Sequence, residues 1–125
     1  MSHRVLVVDD EEDIRAIARL ALERVAGWQV RTASSGKEAL KAVAADPPDA
    51  VLLDVQMPDL DGPTTVQLLR ADPRLPRVRV LLLTAKVQRA DRQRFASLDI
   101  DGVIAKPFDP MTLHFQIAEE LGWPA

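Results

Sequence analysis

The sequence alternates five times between a short apolar run and a segment whose apolar residues have helical spacing. Short β-branched runs are typical of buried strands, and spacings of three and four residues are typical of helices. Successive parallel strands need a long crossover connection, which is usually a helix, so strict alternation predicts a parallel sheet with helices on both faces. We therefore expect an α/β, doubly wound fold with five strands and five helices.

The strands are predicted from apolar runs that end at polar or turn-forming residues. The third run is apolar on both alternating faces and ends in a carboxylate, which predicts a central strand. The five predicted strands are Arg4–Val8, residues 28–33, Ala50–Asp54, residues 78–83 and residues 102–106.

Capping residues and helix breakers set the predicted helix boundaries. Gly27 ends the first helix, Ser35 with Glu38 forms a capping-box pattern, and Pro63 suits a first turn. Asp109 and Pro110 are interpreted as the cap and first residue of the last helix. The five predicted helices are residues 14–25, 36–45, 63–71, 88–98 and 110–121.

Length and composition narrow the class of protein. The 125 residues suit one domain, residues 1–125, and a net charge of −3 with 4% aromatic residues argues against a nucleic-acid surface. No cysteine is present, which excludes disulfides and thiol chemistry. His114 is interpreted as a surface residue that carries no phosphoryl group, and His3 as an N-terminal residue without a special role. No apolar run approaches the roughly 18 residues that span a bilayer. We expect a cytoplasmic protein without membrane contact.

Chemically distinctive side chains follow four of the predicted strands. Asp9 and Asp10 follow the first strand, Asp54 ends the third, Thr84 follows the fourth and Lys106 ends the fifth. In open α/β sheets the ligand site lies at the carboxyl ends of the strands, where the strand order reverses. We therefore expect these five side chains to converge at one edge of the sheet.

The combination of three carboxylates, a hydroxyl and an ammonium group has a specific chemistry. Neighbouring carboxylates repel one another unless a cation is present, and a set of hard oxygen ligands suits Mg²⁺. Lys106 could bind an anionic oxygen, and Thr84 could donate a hydrogen bond to the same anion. A carboxylate beside a metal is a competent nucleophile for a phosphoryl group.

Taken singly, these residues have plainer interpretations. The acids at 9–13 suit a helix start, Asp54 could cap a strand end, Thr84 could be a turn hydroxyl, and Lys106 could be a solvated loop residue. Together, the four segments that contain them resemble the receiver domains of two-component response regulators, the CheY-like family, from Val5 to about Leu121. The segments are VVDD at 7–10, LLDVQMPDLDG at 52–62, LTA at 83–85 and KPF at 106–108.

The resemblance implies a strand order of 2-1-3-4-5 and a set of roles at the acidic site. Asp54 would accept a phosphoryl group from a phosphohistidine on a sensor histidine kinase or a histidine phosphotransfer protein. Asp10, Asp54 and the backbone carbonyl of Gln56 would bind Mg²⁺ directly, and Asp9 would act mainly through water.

The resemblance also assigns residues to phosphoryl contact and to the lifetime of the phosphorylated state. Thr84 and Lys106 would contact the phosphoryl oxygens, and the Lys106–Pro107 peptide bond is expected to be cis. Gln56 and Lys86 would flank the path of the hydrolytic water, so Lys86 is expected to affect the autodephosphorylation rate.

One position departs from the family pattern. Val103 stands where the family has an aromatic residue that follows the hydroxyl residue inward on phosphorylation, so we expect a muted or differently built switch. Arg89 and Arg92 on the fourth helix, with Met111 and Phe115 near the last, form a hypothetical partner surface. The alternative for the arginines of the fourth helix, and for the basic residues between positions 70 and 79, is a solvated face.

The function expected from these features is that of a single-domain response regulator, a monomer or weak dimer, that is phosphorylated on Asp54 and dephosphorylates itself. It is not expected to be an enzyme beyond that chemistry. The alternatives are a phosphorelay shuttle to a histidine phosphotransfer protein and a phosphate-independent scaffold. A haloacid-dehalogenase-like phosphatase is disfavoured, because Asp9 and Asp10 lack the spacing of its two acids and the chain is short.

Overall fold

Five parallel strands form one sheet in the order β2-β1-β3-β4-β5, which confirms the predicted fold class. The computed structural model describes residues 3–85 and 89–124, and only the backbone of residues 89–92. The strands are β1 (Arg4–Val8), β2 (Gln29–Ala33), β3 (Ala50–Asp54), β4 (Arg79–Thr84) and β5 (Gly102–Ala105).

Five helices cover the two faces of the sheet. One hydrophobic cluster joins the sheet to α1 and α5, and the other joins it to α2, α3 and α4. Among residues 3–85 and 89–124, no helix is long and apolar enough to cross a membrane. The helices are α1 (Glu12–Leu20, continuing as a π-helical turn Ala21–Val25), α2 (Gly36–Ala45), α3 (Gly62–Ala71), α4 (Arg89–Ala96) and α5 (Leu113–Leu121).

The register of the central strands sets the position of the acids. Val8 pairs with Leu53 across β1 and β3, and Asp54 pairs with Leu83 across β3 and β4. The residue after each member of the first pair is an aspartate. Asp9 and Asp54 therefore leave neighbouring parallel strands at the same level of the sheet edge.

Side-chain caps fix the starts of α2 and α3. Ser35 accepts a hydrogen bond from the Glu38 amide at 3.1 Å, and Asp61 accepts one from the Thr64 amide at 2.8 Å. These bonds satisfy amide groups that have no partner within the helix. The capping box at Ser35 is only half formed, because the Glu38 carboxylate accepts from the Ser34 hydroxyl instead.

The predicted cap of the last helix is wrong. The α5 helix begins at Leu113 with Thr112 as its N-cap residue, three residues after the expected start. Asp109 instead forms a turn, in which its carboxylate accepts from the Met111 amide at 2.9 Å and its carbonyl accepts from the Thr112 amide at 3.0 Å. Aspartate side chains favour such local turns over helix, which is the physical reason for the later start.

Smaller corrections concern element ends. β2 begins one residue after the predicted position, β4 lies one residue later, and β5 ends at Ala105 rather than at Lys106. The first helix ends in a π-helical turn, where the Trp28 amide donates to the Leu22 carbonyl at 3.0 Å. Apolar spacing does not distinguish such a turn from α-helix.

The basic group at 70–79 is paired within the chain. Arg70 donates to the Val78 carbonyl at 2.6 Å, Arg74 binds Asp72 at 3.0 Å, and Arg79 binds Asp101 at 2.8 Å. Arg77 pairs with Asp99. The pairs with Asp99 and Asp101 tie this region to the chain just before β5, which favours a structural role for the group.

His114, which was predicted to be a surface residue, and His3 both belong to an aromatic cluster that partly shields them from solvent. His3 is half-buried and stacks on Trp123 with ring centroids 3.8 Å apart. His114 is half-buried as well, and its ring meets the edge of Trp28 at 6.3 Å. These rings come together from the chain before β1, the chain before β2 and both ends of α5, so no local sequence pattern indicates the cluster.

Gly62 packs directly against the backbone of the site strand, and we predict that Gly62→Ala destabilises the fold. An added Cβ would lie 2.5 Å from the Asp54 carbonyl oxygen and 2.9 Å from the Val55 Cα. Backbone cannot move aside cheaply, so we expect a loss of about 1–3 kcal/mol in the free energy of unfolding. Urea denaturation measures this loss.

Gly102→Ala is the matched control for this prediction. The three atoms nearest to its added Cβ all belong to the Glu120 side chain, and the two that lie closest are the carboxylate atoms at its flexible end. We expect a smaller loss than for Gly62→Ala, and equal losses in the two variants would contradict the packing argument.

Candidate functional site

Three aspartates converge at the carboxyl edge of the sheet. Asp9 follows β1 directly, Asp10 comes next, and Asp54 is the last residue of β3. Their carboxylates each offer an oxygen, and these oxygens lie within 4.8 Å of one another. Asp9 and Asp54 are buried, whereas Asp10 is exposed. The site is therefore a buried acidic pair with a third carboxylate facing solvent.

Lys106 connects the two buried carboxylates. Its Nζ lies 2.9 Å from Asp9 Oδ2 and 3.1 Å from Asp54 Oδ1. The Lys106 amide donates to the Thr84 carbonyl at 2.9 Å, which fixes the residue just beyond the end of β5, and the Lys106–Pro107 peptide bond is cis. A buried carboxylate without a cation would carry a large desolvation penalty, and the ammonium group of this bridge offsets part of it.

Asp9 has structural contacts that the sequence does not indicate. Its Oδ1 accepts from the Glu11 amide at 2.9 Å, and its backbone carbonyl accepts from the Arg15 guanidinium at 2.8 Å. Both oxygens of the Asp9 carboxylate are thus engaged, one by Lys106 and one by the loop that leads into α1. These contacts anchor the acidic loop.

The pKa of Asp54 is raised from 3.8 to about 6, chiefly by burial and also by repulsion from Asp9. The hydrogen bond and charge of Lys106, together with the Gln56 amide, oppose the rise. For Lys106 itself, burial lowers the pKa, but hydrogen bonds to Asp9 and Asp54 outweigh burial and leave its pKa raised. Lys106 therefore remains charged, and Asp54 titrates close to neutral pH.

The chemistry of the donor set fits a hard divalent cation. Three carboxylates face one ammonium group, so the site retains negative charge after Lys106 is counted. Oxygen ligands with one side open to solvent are those that Mg²⁺ prefers. The family resemblance implies that Asp10, Asp54 and the backbone carbonyl of Gln56, in the β3–α3 loop, would hold such an ion.

Thr84 ends β4 beside the acids and is buried. It lines a cleft of about 510 Å³ together with loop residues after β3 and residues of α4. Lys86, predicted to affect phosphoryl lifetime, lies outside the described residues. The cleft is lined by Val55, Gln56, Met57, Pro58, Asp61, Thr84, Arg94 and Phe95.

The residues of the hypothetical switch and partner surface lie on β5 and near α4 and α5. Val103 is half-buried and packs against the cluster that contains α4. Met111 and Phe115 are 63% and 51% exposed. Arg89 and Arg92 belong to α4, but their side chains are outside the described part of the chain.

We predict that the affinity of the site for Mg²⁺ depends on the protonation of Asp54. A metal ligand must be deprotonated, and a pKa of about 6 leaves Asp54 mostly protonated at lower pH. The apparent affinity should therefore fall by up to about tenfold per pH unit below pH 6. Calorimetric Mg²⁺ titrations between pH 5 and about pH 8 would measure this.

The metal-free protein should show the linked effect on stability. Because the pKa is higher in the folded state than the 3.8 of the unfolded chain, the contribution of Asp54 to stability falls as pH rises through about 6. In Asp54→Asn, this pH dependence of stability should disappear. The variant should also bind Mg²⁺ weakly, with an affinity that does not change with pH. A wild-type affinity that stays constant from pH 5 to about pH 7 would contradict the burial argument.

Comparison with known proteins gives the same family at the levels of sequence and structure. Residues 5–118 match the family model of the response regulator receiver domain. The chain is 38% identical over 117 residues to the alkaline phosphatase synthesis transcriptional regulatory protein PhoP of Bacillus subtilis, covering 94% of this chain and 48% of that protein. It is 42% identical over 108 residues to the transcriptional regulatory protein PrrA of Mycobacterium bovis, covering 86% of this chain and 45% of that protein.

Solved structures are similar over nearly their full length. The Vibrio cholerae chemotaxis protein CheY4 superposes with a TM-score of 0.87 at 30% identity, covering 95% of this chain and 98% of that one. The N-terminal domain of a response regulator receiver protein from Methanoculleus marisnigri gives 0.76 at 38% identity, covering 95% and 93%. The chain spans about half the length of the curated relatives it matches. It belongs to the receiver domain family of two-component response regulators.

Proposed function

We propose that this chain is a phosphorylated switch, in which Asp54 accepts a phosphoryl group from a phosphohistidine and thereby changes the affinity of the chain for a partner. The observation that supports this most strongly is the placement of Asp54. Its carboxylate is buried beside Lys106 and lies within reach of two further carboxylates, and the next residue, Val55, lines an open cleft.

The transfer step is a displacement at phosphorus. A carboxylate oxygen of Asp54 forms a new O–P bond as the P–N bond to the donor histidine breaks. The electron pair of that bond stays on the imidazole nitrogen, which then takes a proton from water. Asp54 attacks as the carboxylate, and a pKa of about 6 leaves most of it ionised at neutral pH.

Two side chains that border Asp54 have the chemistry to stabilise the transferred group. Lys106 bridges Asp9 and Asp54, so a phosphoryl oxygen on Asp54 would take up one of its hydrogen bonds while Asp9 retains the other. Thr84, at the end of the adjacent strand, carries a hydroxyl suited to donate to the same group. Mg²⁺, when bound, supplies positive charge that offsets the charge on the phosphoryl oxygens.

The phosphoryl group is lost by hydrolysis of the acyl phosphate. Water attacks phosphorus, the bond to the Asp54 oxygen breaks, and inorganic phosphate leaves while the carboxylate is restored. Gln56 is exposed two residues after Asp54 and lines the cleft, which supports a role on the path of this water. Lys86 is assigned the same role from the sequence alone. The chain needs no other catalytic activity for this cycle, so we do not propose an enzyme acting on metabolites.

Val103 defines how the switch would be built. It lies on β5, pairs with Leu82 in the sheet, and borders a cavity of about 250 Å³ that Phe95 and Leu98 also line. With no ring at this position, movement of Thr84 would be transmitted by aliphatic packing alone. We propose a smaller rearrangement of the β5–α5 face than an aromatic residue would give.

The output is proposed to be the binding of another protein segment. Met111 and Phe115 present exposed apolar surface, and Phe115 extends from the first turn of α5. The relatives PhoP and PrrA are transcriptional regulatory proteins of about twice this length. The exposed apolar residues and the regulatory relatives are both consistent with an output that acts through the receiver surface. The upstream partner is proposed to be a sensor histidine kinase.

We predict that acetyl phosphate and Mg²⁺ add one phosphoryl group to the wild-type chain and none to Asp54→Asn. Intact-protein mass spectrometry measures the added mass, and a chelator should abolish it. Removal of the nucleophile eliminates the only proposed acceptor, so the expected loss is complete.

Asp59→Asn is the matched control, because Asp59 is an exposed aspartate in the same β3–α3 loop. This variant should be labelled like the wild type. An unlabelled wild type, or equal labelling of Asp54→Asn, would contradict the proposed function.

A further inference from the structure

The cleft beside the acceptor contains a cation that the proposed chemistry has not used. Arg94 lies on α4 and lines this cleft together with Thr84 and Gln56. Thr84 ends the strand next to Asp54, and Gln56 follows Asp54 by two residues. Val55, the residue after the acceptor, lines the same cleft, so Arg94 borders the space beside the end of the acceptor strand.

An incoming phosphoryl donor meets strong negative charge at this edge of the sheet. The carboxylates of Asp9, Asp10 and Asp54 form the acidic cluster, and Asp61 adds a fourth carboxylate in the wall of the cleft. Lys106 is held between two of these acids. This charge repels an anionic donor, and Mg²⁺ bound at the acidic cluster would offset it only in part.

Arg94 is held loosely enough to exchange partners. Its guanidinium lies 3.6 Å from Asp61 Oδ2, and both side chains are substantially exposed. Exposed ion pairs contribute little, commonly between 0 and about 1 kcal/mol. Asp61 has a second role that does not need Arg94, because its Oδ1 caps α3 through the Thr64 amide. Moving Arg94 to a phosphoryl group would leave that cap intact.

We propose that Arg94 is a donor-binding residue, which attracts and orients the phosphoryl group of the donor at the mouth of the acceptor cleft. A guanidinium offers paired N–H donors that match two phosphoryl oxygens. The ligand class is a phosphoryl group on a good leaving group, such as an acyl phosphate. This inference rests on the proposed function, because it assumes that Asp54 is the acceptor.

The test measures the rate of Asp54 phosphorylation with acetyl phosphate as the probe. In this reaction an Asp54 oxygen bonds to phosphorus as the P–O bond to acetate breaks, and acetate leaves with the electron pair. We expect Arg94→Gln to lower the second-order rate constant by about threefold to tenfold, the effect of one unit charge near a dianion in a solvent-exposed site. Arg94→Lys, which keeps the charge, should recover most of the rate.

Arg77→Gln is the matched control. The Arg77 side chain is 56% exposed, as is that of Arg94, and it also pairs with an exposed aspartate, Asp99, but it lies before β4. This variant removes the same charge far from the cleft and should keep the wild-type rate. Thermal unfolding of all three variants verifies that they are folded.

Dependence on ionic strength separates charge attraction from a structural effect. The ratio of the wild-type rate constant to that of Arg94→Gln should fall toward one with added NaCl, because screening weakens an attraction that only the wild type has. Equal rates and equal salt slopes for Arg94→Gln and Arg77→Gln would overturn the role of Arg94 while leaving the proposed function intact. An unlabelled wild type would instead overturn the proposed function.

Discussion

The contact of Lys106 with Asp9 and Asp54 is the interaction on which the site depends. Two carboxylates that are buried side by side repel each other, and each is disfavoured by the loss of water. The ammonium group lies 2.9 Å from one and 3.1 Å from the other, so it offsets both effects at once. It cannot offset them fully, because Asp10 adds a third carboxylate. The remaining negative charge is what suits the site to a divalent cation.

This contact exists because three strands of one sheet end at the same level. Register places Asp9 and Asp54 next to each other, and the hydrogen bond from the Lys106 amide to the Thr84 carbonyl brings the lysine alongside. The close packing of Gly62 on the Asp54 carbonyl holds the following loop against the strand end. The strand register that packs the core therefore also sets the geometry of the site, since a shift in register would separate the charges.

Much of this arrangement could be predicted from the sequence. Strand–helix alternation is a periodic signal, and it predicts the sheet and the convergence of the strand-end residues. The strand order follows from the family resemblance. The direct Lys106–Asp9 contact and the Arg94–Asp61 pair depend on side-chain directions between elements distant in the chain, which no local pattern encodes. The predicted start of α5 is wrong because the Asp109 side chain forms a local turn instead of capping the helix.

The pKa of Asp54 in the presence and absence of the lysine charge tests this account most directly. The measurement follows the Asp54 carboxyl carbon by ¹³C NMR during a pH titration of metal-free protein, in the wild type and in Lys106→Met. Burial and Asp9 raise the pKa to about 6, and Lys106 opposes them, so the account predicts a value near 6 in the wild type and a higher value in the variant. Lys41→Met, which removes an exposed charge on α2, should leave the value unchanged. Equal Asp54 pKa values in the wild type and Lys106→Met would contradict the central role of this bridge.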